Sequence, residues 1–306
     1  MSSPRDRRAG NGRGAVLLLL TFAIGLAAGL GCAKRAGETP AAPAPVSPPA
    51  PPAQGGESQT IEVFVPCAFA PPMVKIVELF EKEHPNIKVV RQIENVEVLT
   101  PRIEKGAKPD VFLSVGDAEM DRLEKLGRVA DREDFAFVTL ALVSHADFAG
   151  KVDSLKDLTK PEVKSVAIGT PDTSAGHYAE VILKQAKLWE AVQPKLIRTK
   201  FPVQLLKFAR EKKVDAALAF AACLKAEQGE WKEQDEYQKL AGKLRLVEDL
   251  GKGGDYCLTI ACPAAIIQGC KNPAGGKVFV DFLRRDEAQG FFGKSGFLTL
   301  AEPKCF

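Results

Sequence analysis

From Thr60 onward the chain alternates between short apolar runs and segments whose apolar residues recur every three to four positions. Ile61 to Val65 is a run of the first kind. Met73, Ile76, Val77 and Phe80 make one face of a helix that ends at His84-Pro85-Asn86. Ile87 to Ile93 and Val111 to Val115 are a second and a third strand. Strand, helix and strand at this spacing predict a parallel sheet with right-handed crossovers, which takes ligands outside the carboxyl ends of its strands. Phe135 to Val143 breaks the pattern with a long apolar run that has no helical period. Alternation resumes with Ser165 to Ile168, Leu196 to Lys200 and Ala216 to Phe220, each followed by a helix or a helix-start signal. Tyr256 to Ala261 is a further strand, and Asn272 to Arg284 is helical. These elements predict an α/β protein with two lobes, each a sheet flanked by helices, joined by two hinge connections. Residues 60–137 with 256–306 form lobe 1, and 138–255 form lobe 2.

One junction stands out. The strand at Ser165 to Ile168 hands over, through Gly-Thr-Pro-Asp-Thr-Ser-Ala-Gly, to a helix whose face is Tyr178, Val181, Ile182, Gln185 and Trp189. The first amides of a helix have no partner within it and carry the positive end of its dipole, so such a junction binds anions without a lysine. Gly169 to Gly176 is therefore expected to wall the cleft, with the amides of Ala175 and Gly176 facing a ligand. Small side chains would keep that approach open, so Ala175→Leu is expected to block binding and spare the fold. The plainer reading, that Asp172, Thr173 or Ser174 caps its own helix, stands beside it.

The chain before Thr60 has a different character. Arg5, Arg7, Arg8 and Arg13 precede an uncharged run from Ala15 to Leu30, which has the length and flanks of a secretory signal and is short for a membrane span. It ends in Gly-Leu-Gly-Cys32, which resembles the lipobox of bacterial lipoproteins, with Gly29 where a leucine is usual. Residues 1–31 are thus expected to be removed and Cys32 acylated. Residues 32–59 follow as anchor and linker, with seven prolines between 40 and 52. Polyproline geometry, at about 3.1 Å per residue, makes that segment a stalk. The expected product is exported and lipid-anchored, facing the periplasm or the exterior. Loss of four arginines and Asp6 with the signal brings the formal charge from +3 to zero, which gives no reason to expect nucleic acid as a partner.

Seven cysteines remain to be placed. With Cys32 lipidated, Cys67, Cys223, Cys257, Cys262, Cys270 and Cys305 allow fifteen pairings in a compartment where disulfides persist, and spacing chooses none of them. No CxxC or tandem Cys/His spacing suggests a zinc finger.

KPDVFLSVGDAEMDRL (108–123) and VKSVAIGTPDTSAGHYAEVIL (163–183) resemble the two best marked segments of the molybdate-binding proteins of ABC importers, a branch of the bilobed extracytoplasmic solute-binding proteins. The similarity continues through VDAALAF (214–220), YCLTIA (256–261) and DFLRRDEAQGFFGKSGF (281–297), in order, over essentially all of 60–300. It implies the type II periplasmic-binding-protein fold and closure of two lobes around a small ligand. It further implies a monomer served by a permease in the cytoplasmic membrane, with no catalytic activity. Members of this family hold a tetrahedral oxyanion with hydroxyls and amides. Laid on this chain, the first serine position falls at Ala68, next to Cys67, and the second near Asn95 and Val96. The amide of the Pro-Ala-Gly turn falls at Ala175, within Ser174-Ala175-Gly176. The strand-end amide falls at Pro202, which has no N–H, and the tyrosine falls at Phe220.

Only Ala175 is retained, and each missing hydrogen bond to a buried charge costs about 1.5 to 3 kcal/mol. An oxyanion such as molybdate is therefore expected to bind weakly unless other groups substitute. Glu94 and Glu97, beside the second position, would repel an oxyanion further if they faced the cleft, but acidic residues suit the first turn of a helix and the expected reading is a solvated turn. The alternative function is a metal- or redox-cofactor-binding protein on the same fold, without a transport role. In it Cys67, Cys223, Cys257 and His177 would ligate a soft or borderline ion such as copper or zinc. No third orienting group or oxyanion hole accompanies these residues, so a Cys-His hydrolase is not expected.

Overall fold

The computed structural model describes residues 58–228, 243–251, 256–302 and 305. The signal, Cys32 and nearly all of the proline-rich linker lie outside the described residues. The first half of the fold runs β1 (Gln59–Pro66), α1 (Ala70–Glu83), β2 (Ile87–Glu94), α2 (Val96–Glu104), β3 (Val111–Leu113) and α3 (Asp117–Lys125). A strand of 17 residues, β4 (Val129–His145), leads out of it. Next come β5 (Val166–Gly169), α4 (Ser174–Gln185), α5 (Trp189–Val192), β6 (Leu196–Thr199), α6 (Pro202–Arg210), β7 (Ala216–Phe220), α7 (Ala221–Gln228) and β8 (Leu244–Asp249). The chain returns along β9 (Thr259–Ile267) and ends with α8 (Pro273–Leu283) and α9 (Asp286–Lys294).

The strand order is β2-β1-β3-β9-β4-β7-β5-β6, with β8 also paired to β4. Pairing is parallel among β1, β2 and β3 and among β5, β6 and β7, as the strand-helix alternation requires. The sheet halves meet on β4. Val129 to Thr139 pairs antiparallel with β9, whereas Leu140 to His145 pairs with β7 and β8. Every residue of β4 from Phe135 to His145 is buried, and burial on both faces explains a run that is apolar without alternating. Register shifts at Asp134/Ala136 and Leu142/Val143 bend it where it passes from one half to the other.

The strand expected at Tyr256 to Ala261 begins later and continues through Pro263 to Ile267. Pro263 cannot donate to a ladder, and it lies opposite Asp134 at the first of these shifts, where a missing N–H is tolerated. Its carbonyl accepts the Ser114 N–H at 2.9 Å. Phe69, Phe135, Phe292 and Phe297 fill the first half, with Phe69 and Phe297 stacked at 4.6 Å. Val166, Ile168, Ile182, Leu205 and Leu218 fill the second.

Candidate functional site

The starts of α3 and α4, one from each half, face each other. Gly116 precedes α3 with φ +112, and a Cβ there would lie 2.4 Å from the Ser174 Cβ, so only glycine permits this approach. The Ala118 N–H donates to Ser174 Oγ at 3.1 Å. The Ser174 N–H donates to Glu119 Oε1 at 2.9 Å, and the Ser174 hydroxyl donates to Glu119 Oε2. Beside this pair the Tyr178 hydroxyl donates to Asp117 Oδ2 at 2.9 Å. Asp117 also pairs with Arg132 of β4, which reaches Asp121 at 2.8 Å. Arg122 of α3 donates to the Asp172 carbonyl at 3.3 Å. α3 and α4 are thus joined by charge-assisted hydrogen bonds, each stronger than a neutral one.

Burial pushes the Glu119 carboxyl up from its ordinary range while the two bonds from Ser174 pull it down. Asp117 is likewise raised by burial, against the lowering effect of Tyr178 and Arg132.

The turn at 169–176 is built more tightly than an open ligand wall requires. A Cβ on Gly176 would meet the Thr170 carbonyl oxygen at 2.0 Å, and one on Gly169 would meet the Gly176 nitrogen at 2.5 Å. These glycines let the strand end pack on the helix start. Thr173 is the N-cap, and its hydroxyl accepts the Gly176 N–H at 3.1 Å. The Gly176 amide is therefore used within the turn rather than offered to a ligand. The Ala175 side chain is 1% exposed and belongs to the core, so the expectation that leucine there would spare the fold does not hold.

Around the start of α2, Asn95 is the N-cap residue but makes no side-chain cap bond. Its Oδ1 instead accepts the exposed Cys67 S–H at 3.4 Å. Protein packed about the Cys67 thiol raises its pKa, and Glu97 raises it further. Ala68 and Val96 are buried among apolar neighbours. Glu97 corrects the expectation of a solvated first turn. It is 7% exposed, and neither of its buried carboxylate oxygens has a hydrogen-bond partner of ordinary geometry. Burial pushes its pKa up to about 8, with Glu119 and Asp172 adding to the rise and Lys200 opposing it. Glu94 is exposed as expected.

Pro202 is the first residue of α6, and Phe220 is the buried last residue of β7. The cysteine set is not assembled. Cys257 is joined to Cys305 in a disulfide, which removes its thiolate. His177 is exposed, with its ring against Tyr178, and Cys223 lies on α7. Among the described residues, no group of three or more His, Cys, Asp or Glu is placed to hold a metal ion.

Asp117, Glu119, Arg132 and Tyr178 were not expected as site residues, and Glu97 only as the alternative to a solvated turn. Asp117 and Glu119 belong to the run of acids in GDAEMD, ordinary for a helix start, and no sequence signal marks Arg132 or Tyr178.

Comparison with known proteins agrees with this architecture. YvgL of Bacillus subtilis is 24% identical over 241 residues, covering 78% of this chain and 86% of that protein. The molybdate-binding protein ModA of Haemophilus influenzae is 25% identical over 78% of this chain and 90% of its own length. The periplasmic molybdate-binding protein of Azotobacter vinelandii superposes with a TM-score of 0.60 over 80% of this chain and all of that one, at 18% identity. The fold is the two-lobed type II arrangement of periplasmic binding proteins. The family described as bacterial extracellular solute-binding protein matches residues 61–298, and the chain belongs to it.

Proposed function

We propose that this protein is the solute receptor of an ABC-type importer, a monomer held outside the cytoplasmic membrane by lipid on Cys32 and the proline-rich stalk. Residues 60–137 with 256–306 form one lobe and 138–255 the other. β4 and the segment entering β9 are the two hinge connections. The solute lies between the starts of α2, α3 and α4, close to Cys67, Asn95, Glu97, Ala175 and Lys200. A solute that touches both lobes favours the closed state by its differential affinity, and a permease recognises that state.

The observation that carries this reading is the Ser174–Glu119 contact, which joins the two halves through polar groups beside the buried Glu97 carboxyl, which lacks a hydrogen-bond partner of ordinary geometry. A packed core would have been apolar there. The reading assigns binding and no chemical step, in keeping with the solute-binding relatives.

The test has two parts. Protein purified gently from its own membranes is denatured and the released small molecules identified by mass spectrometry, with one solute per chain expected. Returning that solute should reduce the radius of gyration by X-ray scattering. Absence of both a bound solute and compaction refutes the receptor assignment. Separately, Cys32→Ala should release the chain from the membrane fraction, and unchanged fractionation removes the anchor.

A further inference from the structure

The first turn of α4 leaves three amides that the helix itself cannot satisfy. Two of them are already used. Gly176 N–H is capped by Thr173, and Ser174 N–H is held by Glu119, whose second oxygen receives the Ser174 hydroxyl. A carboxylate of the chain itself, delivered from α3 and 1% exposed, therefore stands where an incoming anion would meet the positive end of α4. Glu97 is the second, independent observation. Both its oxygens are buried and lack a donor, although the residue lies at the start of a helix where amides abound. Its own amide N–H approaches without ordinary hydrogen-bond geometry. The charges acting on it include Glu119 from α3 and Asp172 and Lys200 from the second half. An unpaired buried carboxyl is unfavourable unless something brings it donors or positive charge.

We propose that the cleft takes a solute presenting a cationic N–H donor group, an ammonium or guanidinium, to Glu97, and that Glu119 excludes free tetrahedral oxyanions by occupying the α4 helix end. This inference rests on the cleft assigned above and names its solute class. N–H donors suit the two bare oxygens of Glu97, because a carboxylate accepts such groups on both atoms at once. A bare metal ion suits them less, since no cluster of three ligating side chains is present among the described residues. Glu94, beside Cys67, adds to the negative field at the mouth.

Cys67 allows the cleft's charge preference to be read without knowing the solute, because its thiol is exposed and adjoins both Asn95 and Glu97. The full chain is treated at pH 9, where Glu97 is ionised, with 2-(trimethylammonio)ethyl or 2-sulfonatoethyl methanethiosulfonate, and modification of Cys67 is followed by peptide mass spectrometry. Rates are divided by those on 2-mercaptoethanol. The ammonium reagent is expected to react about tenfold faster than the sulfonate. Glu97→Gln should reduce that ratio at least about threefold, and Glu119→Gln provides a second variant if the first folds poorly. Molybdate titrated calorimetrically into the wild type should show no saturable binding below about 1 mM, and Glu119→Gln should bind it more tightly.

A sulfonate rate equal to or above the ammonium rate overturns the charge preference, as does a Cys67 that reacts with neither reagent. A ratio unmoved by both variants overturns the role of the two carboxyls. Micromolar molybdate binding by the wild type overturns the exclusion while supporting the receptor reading. Failure of the release and compaction tests would sink the receptor reading and leave the Cys67 measurement interpretable.

Discussion

Replacing Glu97 with glutamine should stabilise the protein, and by an amount that depends on pH in a stated direction. The carboxyl has an ordinary value of 4.5 and titrates at about 8 in the folded chain. The native state therefore holds this proton more tightly than the unfolded state. Stability is unaffected by the group below pH 4.5, falls as pH rises between 4.5 and 8, and is level above 8. Each pH unit in that window is worth about 1.4 kcal/mol, so the loss reaches about 3 kcal/mol at pH 7 and about 5 kcal/mol above pH 8. Glutamine has nearly the same shape and no charge to desolvate.

The difference in stability between Glu97→Gln and the wild type should therefore be close to zero at pH 4.5 and grow to several kcal/mol at pH 8.5. For a folded unit of roughly 250 residues this corresponds to a rise in Tm on the order of 10 °C. Calorimetric melts of both proteins at intervals from pH 4.5 to 8.5 measure it, and taking the difference removes groups that titrate alike in the two. A difference in Tm that stays flat across this range, or shrinks as pH rises, would refute the burial and isolation of Glu97 on which the calculation depends.

Three further outcomes follow from the same contacts. Gly116→Ala adds a Cβ where 2.4 Å separates it from that of Ser174, so α3 and α4 should part. Hydrogen exchange at the amides of Ser174 to His177 should accelerate about tenfold, and unchanged exchange would show that the halves do not meet there. Cys305→Ser opens a bridge spanning 48 residues, for which loop entropy predicts a loss of about 4 kcal/mol in denaturant unfolding. The loss should vanish if both proteins are compared under reducing conditions. Ala175→Leu places a larger side chain in the core and should lower stability by about 1 to 3 kcal/mol, and an unchanged melting temperature would put that side chain in open space.

Much of the architecture was legible because it depends on neighbours in the chain. Apolar runs near 61–65, 87–93 and 216–220 and the helical spacing from Met73 to Phe80 record local burial, and the structure places strands and a helix there. The small residues of the 169–176 turn marked a strand-to-helix junction correctly, but their use was different. Gly169 and Gly176 serve backbone packing, and Thr173 takes the Gly176 amide.

What remained illegible depends on groups far apart in sequence. A glutamate in the first turn of a helix is favourable in water, and nothing in IENVEVL tells Glu97 from Glu94, of which only Glu97 is buried. Its environment is set first by burial and then by charges distant in sequence, Glu119 on α3 and Lys200 and Asp172 more than seventy residues later. In the same way, fifteen cysteine pairings look alike until the tail lies along β9, where Thr259 N–H donates to the Cys305 carbonyl at 2.8 Å and Cys257 comes within bonding distance of Cys305. The sequence by itself determined the alternation of strands and helices, because hydrophobic periodicity is a property of adjacent residues. Only the tertiary structure decided which carboxyls lose water and which sulfurs meet, because desolvation and pairing are set by whatever the fold brings to the other side.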